Sequence, residues 1–431
     1  RFVSREIELL LRDSEPRVVF VGAPYVPQTT PLMTKKLGVG HWISIHGTFP
    51  NYMEYESFLS RQSPAFLETH VEDDDIAAII YTGGTTGLPK GVMHTYRSFS
   101  AEIVDAYSIR LTPDDVQLKL GPIFHVTFVS VLFCVMIGSR IHFLSRFPGV
   151  ERFLQIIEEE GITWGTIPTA VTVQIANMDP EEAKKYDFSK FRLLMNGASP
   201  IAGHQLRKAL EILDCAVYNV AGMTECPEFT GLYIEDFRQV SDEVLGCAGR
   251  EGLTTYIKIV DDHGNEVSTG EVGELIVRSD KMMKGYWRNS ELTKSAIRDG
   301  WLYTGDICKM DAEGNVYFLD RKKDMVISGG ENIYSKEVED ILVMHPEIRE
   351  AAVIGVPDDR WGEVVMAFIV PQPDRELTVQ DVIEFCKQNL AKYKVPKYVK
   401  FCEDLPRTPI GKVQKNKLRE PYWKGKFKYI N

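Results

Sequence analysis

The chain has 431 residues, 44% hydrophobic and 26% charged, with a net charge of −11. That is apolar enough for a large core and excludes a mainly disordered or fibrous protein. The negative balance argues against general nucleic-acid binding, which needs a basic surface. The charge is uneven, however: residues 391–431 hold twelve Lys and Arg against Glu403, Asp404 and Glu420, a net of +9 that leaves −20 for residues 1–390. A basic end on an acidic body points to an anionic ligand handled by that end.

Residues 6–13 predict an amphipathic helix and 17–21 a strand, so the chain opens as if inside a domain, with no leader-like pattern. Strand-like runs at 76–81, 140–144, 193–196 and 216–220 alternate with helical spacing at 150–160 and 201–213. Alternation of this kind predicts an α/β fold of parallel sheets covered by helices. The longest apolar run, 126–138, has about 13 residues, short of the roughly 20 that cross a membrane. A membrane span is therefore not expected, while peripheral association stays open.

From 245 to 278 the pattern changes to short strands split by turns, which predicts a small antiparallel or barrel-like unit. A charged patch at 320–324 follows, then a βαββαβ-like order: helix 335–344, strands 351–356 and 364–370, helix 379–390. A boundary near Asp324 divides the chain into a large domain, 1–323, and a small α+β domain, 324–431. Seven cysteines without any CxxC spacing argue for a reducing compartment, the cytoplasm, and against a disulfide framework or a zinc site.

The strongest motif is residues 81–91, Tyr-Thr-Gly-Gly-Thr-Thr-Gly-Leu-Pro-Lys-Gly, directly after an apolar strand. Backbone N–H groups of such a loop converge on an anion, the hydroxyls add donors, and Lys90 adds charge. It is not a Walker A loop, because Gly87 is followed by Leu-Pro. The bland alternative is a flexible surface loop. Four further segments carry candidate polar residues: 121–126 with His125, 196–200 (Asn-Gly-Ala-Ser-Pro), 218–226 with Thr224-Glu225, and 301–307 with Asp306. Taken singly, His125 reads as a core histidine, 196–200 as a strand–helix turn, and Asp306 as a turn cap.

Together these segments resemble, in order and along essentially the whole chain, the adenylate-forming superfamily: acyl- and aryl-CoA synthetases, luciferases and peptide-synthetase adenylation domains. The resemblance implies that Thr82, Gly83, Gly84, Thr85, Thr86, Gly87 and Lys90 bind the phosphates of ATP, with Gly83 in place of the family's serine. It implies that Gly197, Ala198 and Ser199 border the adenine and that Asn219, Ala221, Gly222 and Met223 belong to the ATP site, although Ala221 stands where the family has a stacking tyrosine. Thr224 would touch the α-phosphate; Glu225, with Thr85, would hold Mg2+. Asp306 and Arg321 would take the ribose, and His125 would orient the acid. Lys412, in the Pro/Gly-rich segment 406–415, would be the adenylation lysine.

Asp324 matches the hinge about which the small mobile domain rotates, and Ser328, Gly329 and Gly330 match the wall of the CoA channel. The implied activity is an ATP-dependent acid–CoA ligase that uses Mg2+ and forms acyl-adenylate and pyrophosphate before the CoA thiol displaces AMP. Phe124, Val126, Phe128, Val129 and residues 221–223 suggest an apolar acid, fatty or aromatic. The alternatives are a different acceptor, carrier-protein pantetheine or oxygen, and a non-catalytic nucleotide-binding relative. Partners would be the small carboxylic acid, ATP and CoA, no nucleic acid, and a monomer or homodimer. Family members carry roughly 100 more residues ahead of the glycine loop, so the expectation is a large domain lacking part of one subdomain.

Overall fold

Strand-forming runs and helical spacing sort into two sets of contacts. The computed structural model describes residues 3–65, 67–82, 89–120, 123, 128–197, 201–373, 375, 377–407 and 413–424. Contacts divide the chain into Arg1–Asp75 with Tyr81–Gly91, and Ile76–Ile80 with Val92–Asn431.

In the first unit the helix Ser4–Ser14 buries Leu11 against Leu32 and Leu37. It ends on Glu15 in the left-handed conformation (φ 46°). Strands β1 (Val18–Gly22), β2 (His41–Ile45) and β3 (Met53–Glu54) form a parallel sheet in that order. Strand β4 (Ile76–Thr82) enters the glycine loop and β5 (Lys90–Thr95) leaves it; residues 83–88 lie outside the described residues.

The second unit is built on β6 (Val116–Leu120), β7 (Arg140–Leu144), β8 (Trp164–Thr166), β9 (Leu193–Asn196), β10 (Ala216–Met223), β11 (Cys226–Ile234) and β12 (Arg250–Glu251). Their order is β12-β11-β10-β9-β8-β6-β7, parallel from β7 to β10 and antiparallel beyond. All four residues of β9 are buried, as a parallel strand covered on both faces requires. Period-two alternation sends Leu194 and Val217 to the helices Val150–Glu159 and Gly203–Leu213. Leu193, Met195, Ala216 and Tyr218 go to the other face, with Phe133 of the helix Val129–Ile137. Within the apolar run, Val129–Ile137 thus forms a helix with one buried side, while Val135 and Met136 are exposed.

The antiparallel unit expected after 245 is a five-stranded sheet of β13 (Thr255–Val260), β14 (Val272–Ser279), β16 (Ile297–Arg298), β17 (Trp301–Met310) and β18 (Val316–Arg321). Between β14 and β16 the short β15 (Gly285–Tyr286) leaves this sheet and pairs with β5, Tyr286 opposite Val92. The last part is α+β, as read from the sequence. A hairpin of β19 (Val326–Ser328) and β20 (Glu331–Ile333) precedes β21 (Ile348–Asp358), β22 (Gly362–Pro371) and β23 (Tyr398–Phe401). Helices Ser335–Val343 and Val379–Asn389 cover one face through Val338, Leu342, Val382 and Cys386. The helix Lys415–Trp423 covers the other through Leu418 and Tyr422.

Candidate active site

The sequence predicts a strand over 216–220, and β10 runs from Ala216 on to Met223. Asn219, Ala221, Gly222 and Met223 therefore lie on a sheet strand beside the end of β9. Asn196 Nδ2 donates to Asn219 Oδ1 at 2.9 Å, and Asn219 Nδ2 donates to the Leu245 carbonyl at 2.8 Å. Both amides are buried, so Asn219 is engaged inside the protein. A Cβ on Gly197 would stand 2.7 Å from the Val220 carbonyl; only glycine lets the chain turn off β9 against β10. Gly222 has the same reason, since a Cβ there would meet the Pro227 carbonyl at 1.6 Å. Ala221 pairs with Thr230 just before a register shift in the β10–β11 hairpin.

Thr224 and Glu225 form the two-residue connection of that hairpin, and both are buried. Three contacts hold them. His94 Nε2, on β5, donates to the Thr224 carbonyl at 2.7 Å. Burial holds the His94 imidazole below its ordinary pKa, so it is neutral and the Thr224 contact selects the Nε2–H tautomer. The Met283 N–H donates to the Glu225 carbonyl at 2.7 Å. The Tyr286 phenol donates to Glu225 Oε1, also at 2.7 Å. Sequence reading singled out neither His94 nor Tyr286. Each looks like one more residue of a strand, and neither lies near Thr224 or Glu225 in sequence.

Asp306 and Arg321 sit opposite each other on β17 and β18. Arg321 Nε reaches Asp306 Oδ1 at 2.6 Å, with the carboxylate buried and the guanidinium partly open. Asp306 is thus a strand residue held by a cation, not a turn cap. Asp324 pairs with Arg419 at 3.0 Å. Ser328 ends β19, and Gly329 (φ 60°) and Gly330 (φ 90°) are the two residues of the β19–β20 hairpin, both left-handed as a type I′ turn demands. The Gly329 N–H donates to the Trp361 carbonyl at 2.7 Å.

Thr82 closes β4 and Lys90 opens β5. Gly83, Gly84, Thr85, Thr86, Gly87, Phe124, His125, Val126, Ala198, Ser199 and Lys412 lie outside the described residues. The ends of the segment carrying Lys412 are tied: Arg407 bridges Val413, and the Gln414 N–H donates to the Pro406 carbonyl at 2.7 Å. Of the residues read as a pocket wall, Val129 is buried in the core, and Phe128 packs edge-on against Phe99 at 5.3 Å between ring centroids.

Among the described residues no three His, Cys, Asp or Glu side chains gather as a metal cluster. Glu225 offers one carboxylate with a single oxygen already hydrogen-bonded. That donor set fits an ion that takes one protein oxygen and completes its shell with phosphates and water, which is the habit of Mg2+.

The chain matches the family described as AMP-binding enzyme over residues 1–287, and the AMP-binding enzyme C-terminal domain over residues 337–412. It belongs to the AMP-binding enzymes. A long-chain-fatty-acid–CoA ligase of Mycobacterium tuberculosis is 36% identical over 428 residues, covering 98% of this chain and 82% of the relative. An indoleacetate–CoA ligase of Aromatoleum aromaticum is 32% identical, covering 97% and 82%. Among solved structures, ATP-bound MatB from Rhodopseudomonas palustris is similar with a TM-score of 0.87 and 30% identity, covering 98% of this chain and 82% of that one. This AMP-binding enzyme has no described helix long and apolar enough to cross a membrane.

Proposed function

We propose that this AMP-binding enzyme is an AMP-forming acid–CoA ligase acting on an apolar carboxylic acid, fatty or aromatic. The buried Thr224–Glu225 turn carries the reading: a hydroxyl and a carboxylate stand side by side, held from three directions. The relatives named as CoA ligases for fatty and aryl acids support it.

A carboxylate is a poor acylating agent because its oxygen is a poor leaving group. In the first half-reaction a carboxylate oxygen attacks the α-phosphorus of ATP, the bond to the β-phosphate breaks, and acyl-adenylate and pyrophosphate form. In the second, the CoA sulfur attacks the acyl carbon, AMP leaves with its electron pair, and the thiol proton goes to solvent. The Thr224 O–H donates to the α-phosphate as its charge grows, and Lys412 adds positive charge on the same group. Asp306, beside Arg321, accepts from the ribose hydroxyls. The loop from Thr82 to Lys90 cradles the outer phosphates. Mg2+ bound at Glu225 would supply charge neutralisation on those phosphates. Asp324 serves as the hinge of a small domain starting there, and Ser328, Gly329 and Gly330 line the path of the CoA thiol.

Pyrophosphate exchange measured with a panel of fatty and aryl acids tests this directly. Exchange followed by thioester formation with CoA is expected. ATP binding without exchange for any acid would mean a non-catalytic nucleotide binder. Lys412→Ala should lower exchange by about 10²–10³-fold yet spare thioester formation from supplied acyl-adenylate. Equal loss in both assays would remove Lys412 from the adenylation step.

A further inference from the structure

The main chain of the Thr224–Glu225 turn is held by His94 and by the Met283 N–H, at 2.7 Å each. Neither contact restrains the Glu225 side chain. Among the described residues, the hydrogen bond that does so comes from the Tyr286 phenol to Oε1, across 61 positions of sequence and between two buried groups. We propose that Tyr286 is a positioning residue: its O–H commits one oxygen of Glu225 to the protein and turns the other toward the cation that accompanies ATP. The proposal rests on the reading of Glu225 as the metal-side carboxylate.

Tyr286 is itself held firmly. Its N–H donates to Thr293 Oγ1 at 2.9 Å, and its backbone pairs with Val92 of β5. Gly285 precedes it at φ 147°, where a Cβ would stand 2.8 Å from the Thr293 methyl. A glutamate left free must lose side-chain freedom on binding a cation, and one with two open oxygens can bind in either of two ways. Mg2+ tolerates little departure from octahedral geometry. A carboxylate oriented in advance through one oxygen removes both difficulties, in the way that partners of metal ligands usually do.

The test uses the full chain with a non-hydrolysable ATP analogue and Mn2+, following free Mn2+ by electron paramagnetic resonance. Tyr286→Phe keeps the ring and deletes the donor. Mn2+ binding to the enzyme–nucleotide complex should weaken about tenfold, and the Mg2+ needed for half-maximal pyrophosphate exchange should rise in parallel. Glu225→Gln separates the two ideas. If it leaves Mn2+ binding unchanged, the reading of Glu225 fails. If it weakens binding while Tyr286→Phe does not, Tyr286 has no positioning role. The double variant should be no weaker than Glu225→Gln alone, because the phenol then has no carboxylate to orient; additive losses would overturn the proposal.

Discussion

Lys281 and Lys415 are each bonded to a carboxylate, and their surroundings differ in charge balance. Lys281 is wholly buried, bonded to Asp105 and 3.3 Å from the Glu228 carbonyl. Glu102 accepts from the Glu228 N–H at 3.2 Å, and Tyr218 donates to the Glu228 carboxyl. Three carboxyls thus share one cation. Burial pushes Glu102 well up, Asp105 to about 6 and Glu228 to about 8, with Lys281 opposing each rise. Lys415 instead meets Glu339 at 2.7 Å and the Ser335 hydroxyl at 2.6 Å. Asp320 accepts from the N–H and O–H of Ser335, and the Val353 N–H donates to Glu339 at 2.7 Å. There, each carboxylate has a donor besides the lysine.

The difference teaches what each set can tolerate. Around Lys281 three acids meet one ammonium, and Glu102 Oε2 and Asp105 Oδ1 have no hydrogen-bond partner among the described residues. The set joins the segment after β5, the hairpin behind Thr224–Glu225 and the approach to β15. Around Lys415 the charge is shared by main-chain and hydroxyl donors, so loss of the lysine leaves less unpaired.

Three variants probe that contrast. Lys281→Met should be the most damaging, at about 3–5 kcal/mol, because it strands buried carboxylates; urea unfolding measures it, and a loss below 1 kcal/mol would show that the acids are neutral without the lysine. Lys415→Met should cost less, about 1–3 kcal/mol, since Asp320 and Glu339 keep their other donors. A larger loss than for Lys281→Met would reverse the comparison.

Glu228→Gln should be the mildest near pH 4.5 and of opposite sign above it. The folded-state pKa of Glu228, about 8, lies above its unfolded value. Its stabilisation is complete below about 4.5 and is lost as pH rises through about 8. Glutamine keeps an acceptor for Tyr218 without that loss. The variant should therefore gain on the parent as pH climbs from 4.5 to 8, then run parallel. A constant difference in unfolding free energy across that range would contradict the assignment.

Local pattern carried much of the fold. The strands 140–144 and 193–196 were legible to the residue, because apolar alternation and bounding turns are short-range properties. The α+β order after Asp324 was legible for the same reason. The family was legible because its motifs keep particular residues close together in sequence. What could not be read was the role of residues whose partners are remote. The close approach of Gly222 to the Pro227 carbonyl, where a Cβ would not fit, is one such case. The hydrogen bonds of Asn219 with Asn196 and the Leu245 carbonyl are another.

Composition and periodicity by themselves determined an α/β chain with a basic C-terminal end, and the ordered motifs carried its resemblance to the adenylate-forming superfamily. Tertiary structure alone decided which side chains satisfy the buried polar groups: Tyr286 for Glu225, Lys281 for Asp105 across 176 residues, Arg321 for Asp306. The physical reason is that a buried charge must find its partner wherever the chain brings one, and sequence separation does not record that distance.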